Sequence, residues 1–366
     1  METLSSRQLN RSLLARQLLL ERTEMEVADA LTALAGMQAQ VPQAPYVGLW
    51  SRLADFDPVR LSTLIADRQA VRGVLMRGTI HLVTAEDYRE FWPLVRPVME
   101  RDVAGNTLYG QHRVAGLDLD VVLATGRRLV EERPRSAAEL RDLLAPHWPD
   151  REPPALAYAV RQLLPLVQVP PRGLWRGSGQ PMFTTIEAWT GSGVSGEPAP
   201  DRMVLRYLAG FGPASVADVQ AWCGLTRLRE VVERLPLRTF RGERGNTLYD
   251  LPDAPRPDPD TPAPVRFLAE FDNTCFSHAD RTRVVPDVGY VRRAYNRGMV
   301  LVDGLASGAW KLQRQKRTAE LHVECFTPLA PQPRDDVARE AAALLRFLAG
   351  DADSHEVRLT TDPMAS

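Results

Sequence analysis

Residues 134–140, PRSAAEL, and residues 213–219, PASVADV, follow one plan, with a serine two positions after a proline and an acidic residue three positions after that serine. This spacing is typical of a capping box, in which each side chain bonds the other residue's backbone N–H at the start of a helix. Each stretch is followed by a second helical segment, PPALAYAVRQLL or TRLREVVERL, and then by two extended runs around a glycine-containing turn. The order helix, helix, β-hairpin predicts a winged-helix unit in each region.

The region from Asp57 to Val83 resembles a looser first copy of the same plan. Asp57 is a typical helix cap and Pro58 occupies the first helical position of PVRLSTLIADRQ. The extended segment VRGVLMRGTIHLV follows, and Thr84 with Asp87 predicts the next helix start. We therefore predict three tandem winged-helix units, at residues 1–115, 116–195 and 196–251.

The composition changes after the third unit. Six of the fourteen residues in LPDAPRPDPDTPAP are proline, so residues 252–264 are predicted to form a stiff extended linker. The β-rich runs VRFLAEF, RVVPDVGYVRR, GMVLVDG, AWKLQRQ and RTAELHVECF then indicate a small barrel or curled sheet, and PRDDVAREAAALLRFLAGD indicates a helix near the end of the chain. The predicted fold class is α+β, with a β-barrel-like domain at residues 265–366.

The bulk composition is that of a globular protein. The 366 residues are 44% hydrophobic and 25% charged, and no apolar run approaches the roughly 20 residues that a membrane helix needs. Cys223, Cys275 and Cys325 lie far apart, without the paired spacing of a zinc site or a disulfide framework, and are expected in the core. We expect a cytoplasmic monomer with no membrane partner, no metal and no cofactor.

The net charge of −1 argues by itself against a nucleic-acid partner, although a balanced total can hide a basic surface. Of the 45 basic residues 43 are arginine, a bias that a GC-rich genome also produces. Both lysines, Lys311 and Lys316, fall in the single segment GAWKLQRQKRTAE. This segment is the densest basic run of the C-terminal part.

A second notable stretch is ALAGMQAQVPQAPYVGLWSRL, residues 33–53, which places Gln38, Gln40 and Gln43 among apolar side chains after a predicted helix that stops at Gly36. A glutamine amide cannot titrate, and burying it without partners costs a few kcal/mol. Gln38 and Gln40 could hold one water between them if the backbone there is extended or bent. The alternative is that both cap a helix end and face solvent, and Gln43 is expected to be a loop residue.

Three motifs in order along the chain resemble those of the AlkZ-type winged-helix DNA glycosylases, a bacterial repair superfamily. They are Gln38-Ala39-Gln40, similar to that family's glutamine, aliphatic, glutamine motif; Arg77-Gly78-Thr79-Ile80-His81-Leu82; and FSHADRTR with VDGLASGAWKL. The resemblance implies three winged helices followed by a β-barrel. It also implies excision of alkylated purines from double-stranded DNA, and in some members unhooking of interstrand crosslinks as self-resistance to a genotoxic natural product. Gln38 and Gln40 would then be catalytic.

The same resemblance and the predicted turns select the candidate DNA-binding residues. Each has a structural alternative: Trp50 as a core residue, His81 as a satisfied strand histidine, Arg77 and Thr79 as hairpin support, and exposed arginines as ordinary surface residues. The candidates are Trp50, Arg52, Arg77, Thr79, His81, Arg241, Arg244, Lys311, Arg314 and Lys316.

Two classes of function fit these patterns. The first is a monofunctional DNA glycosylase acting on cationic N3- or N7-alkylated purines. The second is a winged-helix DNA-binding regulator or damage sensor without chemistry. Three units followed by a barrel favour a clamp around DNA, whereas a regulator usually pairs one recognition domain with a ligand or dimer domain.

Overall fold

A computed structural model of the chain describes residues 1–110 and 113–361, which form a mixed α+β fold with three separate sheets. The helices are α1 (Ser6–Arg16), α2 (Val27–Ala33), α3 (Ala44–Trp50), α4 (Pro58–Ala66), α5 (Ala85–Gly105), α6 (Leu119–Glu132), α7 (Ala137–Leu144), α8 (Pro153–Leu163), α9 (Ile186–Thr190), α10 (Pro200–Phe211), α11 (Val216–Cys223), α12 (Arg229–Glu233), α13 (Val288–Arg293) and α14 (Pro331–Ala349). The strands are β1 (Thr3–Leu4), β2 (Met37–Gln38), β3 (Ala70–Val74), β4 (Ile80–Thr84), β5 (Arg135–Ser136), β6 (Leu166–Val169), β7 (Met182–Thr185), β8 (Arg238–Gly242), β9 (Thr247–Asp250), β10 (Arg266–Phe267), β11 (Gly298–Val302), β12 (Leu305–Gln315), β13 (Thr318–Cys325) and β14 (Ser354–Thr361).

The two predicted capping boxes are confirmed. Ser136 and Glu139 exchange both hydrogen bonds at the start of α7, and Ser215 and Asp218 do the same at the start of α11. Asp57 caps α4 by accepting from the N–H two residues later. These starts were predictable because the side chain and the backbone that it caps lie within three residues of each other.

Two of the predicted hairpins share one sheet. The six strands follow the order β2–β4–β3–β6–β7–β5, and β3 pairs with β6 in an antiparallel register that joins Arg72 to Gln168. The third hairpin, β8 with β9, forms a separate sheet with β1. The elements α7–α8–β6–β7 and α11–α12–β8–β9 have the predicted order, while their interpretation as winged helices and the proposed unit boundaries stay predictions.

The C-terminal strands form an open sheet instead of the predicted barrel. Its order β10–β11–β12–β13–β14 leaves β10 and β14 as its two ends, and no sheet among the described residues is closed. Helix α14 lies against this sheet, and its Val337, Leu344 and Leu345 pack in one apolar cluster with Trp310 and Leu321. Because α14 buries the sheet's apolar strands, the sheet needs no closure to shield them.

Two elements differ from the sequence prediction in this region. The run RVVPDVGYVRR is not a strand, since Asp287 caps the short helix α13 within it. The chain also continues beyond α14 into β14, which pairs in parallel with β13. A helix is the usual connection between two parallel strands. The sequence nevertheless did not predict β14, because most of its side chains are exposed and form no apolar pattern.

The proline-rich linker is hydrogen-bonded to side chains of α1. None of the described residues 252–264 belongs to a helix or strand. Arg7, Arg11 and Arg16 of α1 instead donate to the carbonyls of Pro259, Thr261 and Pro255. The three arginines therefore satisfy backbone groups that no ladder can reach.

All three cysteines are buried with free thiols, as predicted. Among the described residues, no helix is both long enough and apolar enough to cross a bilayer.

Candidate active site

Strand β2 holds the first candidate glutamine against the hairpin strand β4. Gln38 pairs with His81 in an antiparallel register, and the Ala39 N–H donates to the Ile80 carbonyl at 2.8 Å. Gly36 enters the strand with φ of +83°, and a Cβ at this position would lie 2.3 Å from a β4 side-chain atom. The sequence thus needs glycine here to bring the glutamine segment onto β4.

Gln38 and Gln40 lie on either side of a buried residue. Ala39 has no exposed surface, Gln38 is half-buried and Gln40 is exposed. Of the two glutamines, only Gln38 belongs to β2, and Gln40 lies in the bend that follows the strand. The Oε1 atom of Gln40 lies 3.4 Å from the Ile80 N–H, a long contact that leaves this side chain loosely held.

Arg77 fixes the amide of Gln38. It lies in the tight turn Met76–Gly78 between β3 and β4 with φ of +59°, and its Nη2 donates to Gln38 Oε1 at 3.0 Å. The same nitrogen donates to Asn273 Oδ1 at 2.9 Å, while Nη1 donates to the Trp222 carbonyl at 2.7 Å. Since a guanidinium can only donate, the Gln38 carbonyl faces Arg77 and its NH₂ faces away.

Burial lowers the pKa values of two titratable groups near Gln38. Burial, together with nearby Arg281, lowers the pKa of Arg77 to about 10, so the guanidinium stays charged at neutral pH. Burial, with a contribution from Arg77, lowers the pKa of His81 to about 3. His81 is therefore a neutral ring, and the Thr79 carbonyl 3.1 Å from Nδ1 assigns the proton to that nitrogen. The Nε2 atom is left as a buried acceptor with no partner among the described residues.

A cavity of about 10 Å³ adjoins the Gln38 side chain. Its polar lining includes Gln17, Gln38, Asp272 and Asn273. A cavity of this size has room for about one water molecule. The site therefore combines a fixed amide, a permanent cation and a water-sized space.

Arg52 does not fit its predicted role as a DNA contact. Its guanidinium is buried and makes a bidentate ion pair with Asp272, with both nitrogen–oxygen distances at 2.9 Å. The remaining donors bond Gln17, Gly48 and Thr274. Every donor is satisfied inside the protein, so in this structure Arg52 holds the Asp272 segment against α3.

Trp50 packs inside the protein as its structural alternative predicts, whereas His81 is a buried strand histidine whose Nε2 has no partner among the described residues. The ring of Trp50 stacks on Phe347 of α14 at 5.9 Å, and the Arg22 guanidinium lies 4.6 Å above it. His81 has no exposed surface. Thr79 is half-buried, and its hydroxyl donates to the Met76 carbonyl at 3.1 Å. Of these three side chains, only His81 is fully buried, and Trp50 and Thr79 are half-buried.

The predicted basic residues outside the motif are exposed but differ in their pairing. Arg244 donates to Asp280 at 2.6 Å, and Arg314 pairs with Asp351. Arg241 on β8 has an exposed side chain without an acidic partner among residues 1–110 and 113–361. Lys311 is exposed on β12, and Lys316 is exposed in the turn that follows it.

Sequence reasoning missed Asn273, and it gave Arg281, which lies in the motif FSHADRTR, no DNA-binding role. Asn273 is buried, accepts from Arg77 and faces the Gly36 carbonyl at 3.4 Å through Nδ2. Arg281 is exposed over the Phe276 ring at 5.2 Å, with no acidic partner in the described part of the chain. The only available signal was the polar triplet Asp272-Asn273-Thr274 between apolar runs, because buried polar groups need partners.

Comparison with known proteins places this site in a family. The sequence profile of a family described as DNA glycosylase AlkZ-like matches residues 31–347, which include both glutamines. A protein of Streptomyces sahachiroi named interstrand DNA cross-link repair glycosylase is 25% identical over 369 residues, covering 90% of this chain and 93% of that protein. The solved structure of Streptomyces sahachiroi DNA glycosylase AlkZ superposes with a TM-score of 0.73 at 19% identity, covering 98% of this chain and all of that structure. The chain is therefore an enzyme and not a non-catalytic regulator, and it belongs to the AlkZ-like DNA glycosylase family.

Proposed function

We propose that this glycosylase is monofunctional, that it hydrolyses the N-glycosidic bond of cationic N3- or N7-alkylated purines, and that Gln38 and Gln40 are its catalytic residues. The observation that supports the proposal is the Gln38 amide, which Arg77 orients beside a small polar cavity, with Gln40 exposed two residues later.

The chemistry needs only modest assistance from the protein. An N3- or N7-alkylated purine already carries positive charge, so it departs without a strong general acid. The enzyme has to hold a water against the anomeric carbon and to stabilise an oxocarbenium-like sugar, which is positioning and electrostatics. The Gln38 carbonyl keeps a second lone pair beyond the one that Arg77 uses, and this lone pair can accept from the water.

The product is then an intact abasic site. A lyase reaction requires an amine that forms a Schiff base with the sugar. The only lysines, Lys311 and Lys316, are carried by β12 and its turn, and not by the segment that holds the glutamines. Base release by water alone is consistent with the monofunctional reaction.

Interstrand crosslinks are the proposed biological substrate, with self-resistance to a genotoxic natural product as the role. The support is the name of the relative from Streptomyces sahachiroi, an interstrand DNA cross-link repair glycosylase. Such a crosslink joins two alkylated purines, so excision of one purine releases one strand.

The test compares Gln38→Ala, Gln40→Ala and Gln40→Asp on a duplex with N7-methylguanine and on a nitrogen-mustard crosslinked duplex. Each alanine variant should slow single-turnover release about a hundredfold, because one oriented contact to the water is worth about 3 kcal/mol. The double alanine variant should lose less than the product of the two effects, since both groups hold one water. With the two glutamines, the purine leaves as a neutral base, the water oxygen bonds to the anomeric carbon, and the surplus proton of the water passes to solvent, because an amide accepts only a hydrogen bond. Gln40→Asp should stay active, because a carboxylate can take up that proton itself.

Folding and DNA affinity should be nearly unchanged in all four variants, measured by urea unfolding and fluorescence anisotropy. Wild-type rates in both single alanine variants would make the glutamines structural and would refute the site. If the wild-type enzyme releases N7-methylguanine from the first duplex but does not unhook the crosslinked duplex, only the crosslink assignment is refuted.

A further inference from the structure

We infer that Arg77 and Asn273 are positioning residues that hold the Gln38 amide in its working orientation, so that Arg77 is not a phosphate contact. This inference rests on the proposed function of Gln38. It concerns a residue, Asn273, that lies more than two hundred positions from the glutamine motif and outside every motif that identified the family.

The hydrogen bonds of Arg77 commit three of its five N–H donors to the protein. These bonds of 2.7–3.0 Å go to Gln38, Asn273 and the Trp222 carbonyl, and they use both N–H groups of Nη2. A phosphate that took either Nη2 donor would remove a bond that orients the Gln38 amide. Arginine serves here as a planar fork with several fixed donors, which a lysine cannot reproduce.

Asn273 completes the arrangement from the other side. Its Oδ1 accepts from the same Arg77 nitrogen that donates to Gln38, and its own amide faces the Gly36 carbonyl two residues before Gln38. The asparagine is buried, and Asp272 before it is held by the ion pair with Arg52. Asn273 thus ties both the backbone and the side chain of the glutamine strand to the C-terminal segment.

The arrangement joins three distant parts of the chain at one guanidinium. Gln38 comes from the N-terminal hairpin region, the Trp222 carbonyl from the end of α11, and Asn273 from the segment after β10. Orientation of the Gln38 amide therefore depends on all three parts being docked. Loss of either positioning residue should free the Gln38 amide to rotate while both glutamines stay in place.

The decisive experiment measures Asn273→Ala in the wild-type and in the Gln38→Ala backgrounds, using N7-methylguanine release at saturating protein. With Gln38 present, Asn273→Ala should slow release about tenfold, because a misplaced group loses its catalytic effect. In the Gln38→Ala background it should add no further loss, since there is no amide left to orient. The dissociation constant for the duplex should stay unchanged.

Asn10→Ala is the matched control for loss of a buried asparagine. Asn10 also accepts from an arginine through Oδ1 at 2.6 Å and donates to backbone carbonyls, but it lies on α1 away from the glutamine strand. Arg68→Ala is the matched control for Arg77→Ala, since Arg68 also has positive φ, of +65°, and donates to a backbone carbonyl at 2.9 Å. Both controls should release base at the wild-type rate.

The outcomes separate this inference from the proposed function. Equal slowing by Asn273→Ala in both backgrounds, or the same slowing in Asn10→Ala, would overturn the positioning role while leaving Gln38 catalytic. A weaker and less salt-dependent affinity in Arg77→Ala at an unchanged saturating rate would restore Arg77 as a phosphate contact. If Asn273→Ala does not fold, Arg77→Lys is measured in the same two backgrounds. A wild-type rate in Gln38→Ala itself would overturn the proposed function.

Discussion

At the scale of single residues, two buried histidines control how the protein responds to acid. Burial lowers the pKa of both His81 and His278 to about 3, with the charges of Arg77 and Arg283 acting in the same direction. In the unfolded chain each ring has an ordinary pKa of about 6.5. As the pH falls below 6.5 the unfolded chain therefore binds protons that the folded chain does not. Stability is complete above this value and is lost progressively between about pH 6.5 and pH 3.

We therefore expect the free energy of unfolding to fall by about 2 kcal/mol for each histidine between pH 7.5 and pH 5, measured by urea unfolding at both values. A His81→Gln variant should lose about half of this pH dependence, because glutamine does not titrate. The carboxyl groups with lowered pKa values, such as Asp272, lose their stabilising charge only at lower pH. Wild-type and variant unfolding curves that shift in parallel between the two pH values would contradict the buried neutral ring.

The residue scale also shows what a sequence can and cannot reveal. The position of Gln38 and Gln40 just after a helix end could be predicted, while their catalytic role stays a prediction that rests on the family motif. Arg52 follows the same motif, yet its partner Asp272 lies 220 residues away, so its burial could not be foreseen. Asn273 could not be predicted either, because its role depends on a contact with Arg77, which is distant in sequence.

At the scale of elements, starts defined by local bonds were predictable and elements defined by distant partners were not. The capping boxes of α7 and α11 were correct because the bonded groups are three residues apart. The pairing of β3 with β6 and the addition of β14 beside β13 depend on strands far away in sequence. Of the two predicted forms, a small barrel or a curled sheet, the barrel is not confirmed, because a strand-rich sequence determines neither the neighbours of each strand nor the closure of a sheet.

Helix α11 offers a test at this scale, because its C-terminal glycine touches the positioning arginine. Gly224 has φ of +81°, and a Cβ on it would lie 3.3 Å from the Arg77 Cα atom. Gly191 ends α9 in the same way, with φ of +78° and open space around a Cβ. Gly224→Ala and Gly191→Ala should each cost about 1 kcal/mol of stability, since left-handed backbone disfavours a side chain.

Only Gly224→Ala should also slow base release, by severalfold, because it displaces the turn that carries Arg77. The two variants are compared by thermal unfolding and by single-turnover release of N7-methylguanine. If the two variants are equally stable and release base at equal rates, the contact between α11 and the Arg77 turn does not affect Gln38.

At the scale of the whole molecule, the distribution of charge is more informative than its sum. A net charge of −1 provides little long-range attraction for DNA, and many of the arginines are already paired with carboxylates. Attraction must then come from exposed arginines without acidic partners, among which Arg241 and Arg281 stand out in the described residues. The charge of Arg281 also helps to lower the pKa of Arg77, the arginine that bonds Gln38.

We expect undamaged duplex to bind modestly and with strong dependence on salt, since each arginine–phosphate contact releases a counterion. Arg241→Ala and Arg281→Ala should each reduce the slope of log affinity against log salt by about 0.9. Arg244→Ala should change the slope less, because Asp280 already neutralises Arg244 at 2.6 Å. Each of the three variants removes one positive charge. A difference among their salt slopes in anisotropy titrations therefore reports local contact with DNA and not net charge. Affinity that hardly changes between 50 and 200 mM salt, about a fourfold range, would count against a DNA clamp held by phosphate contacts.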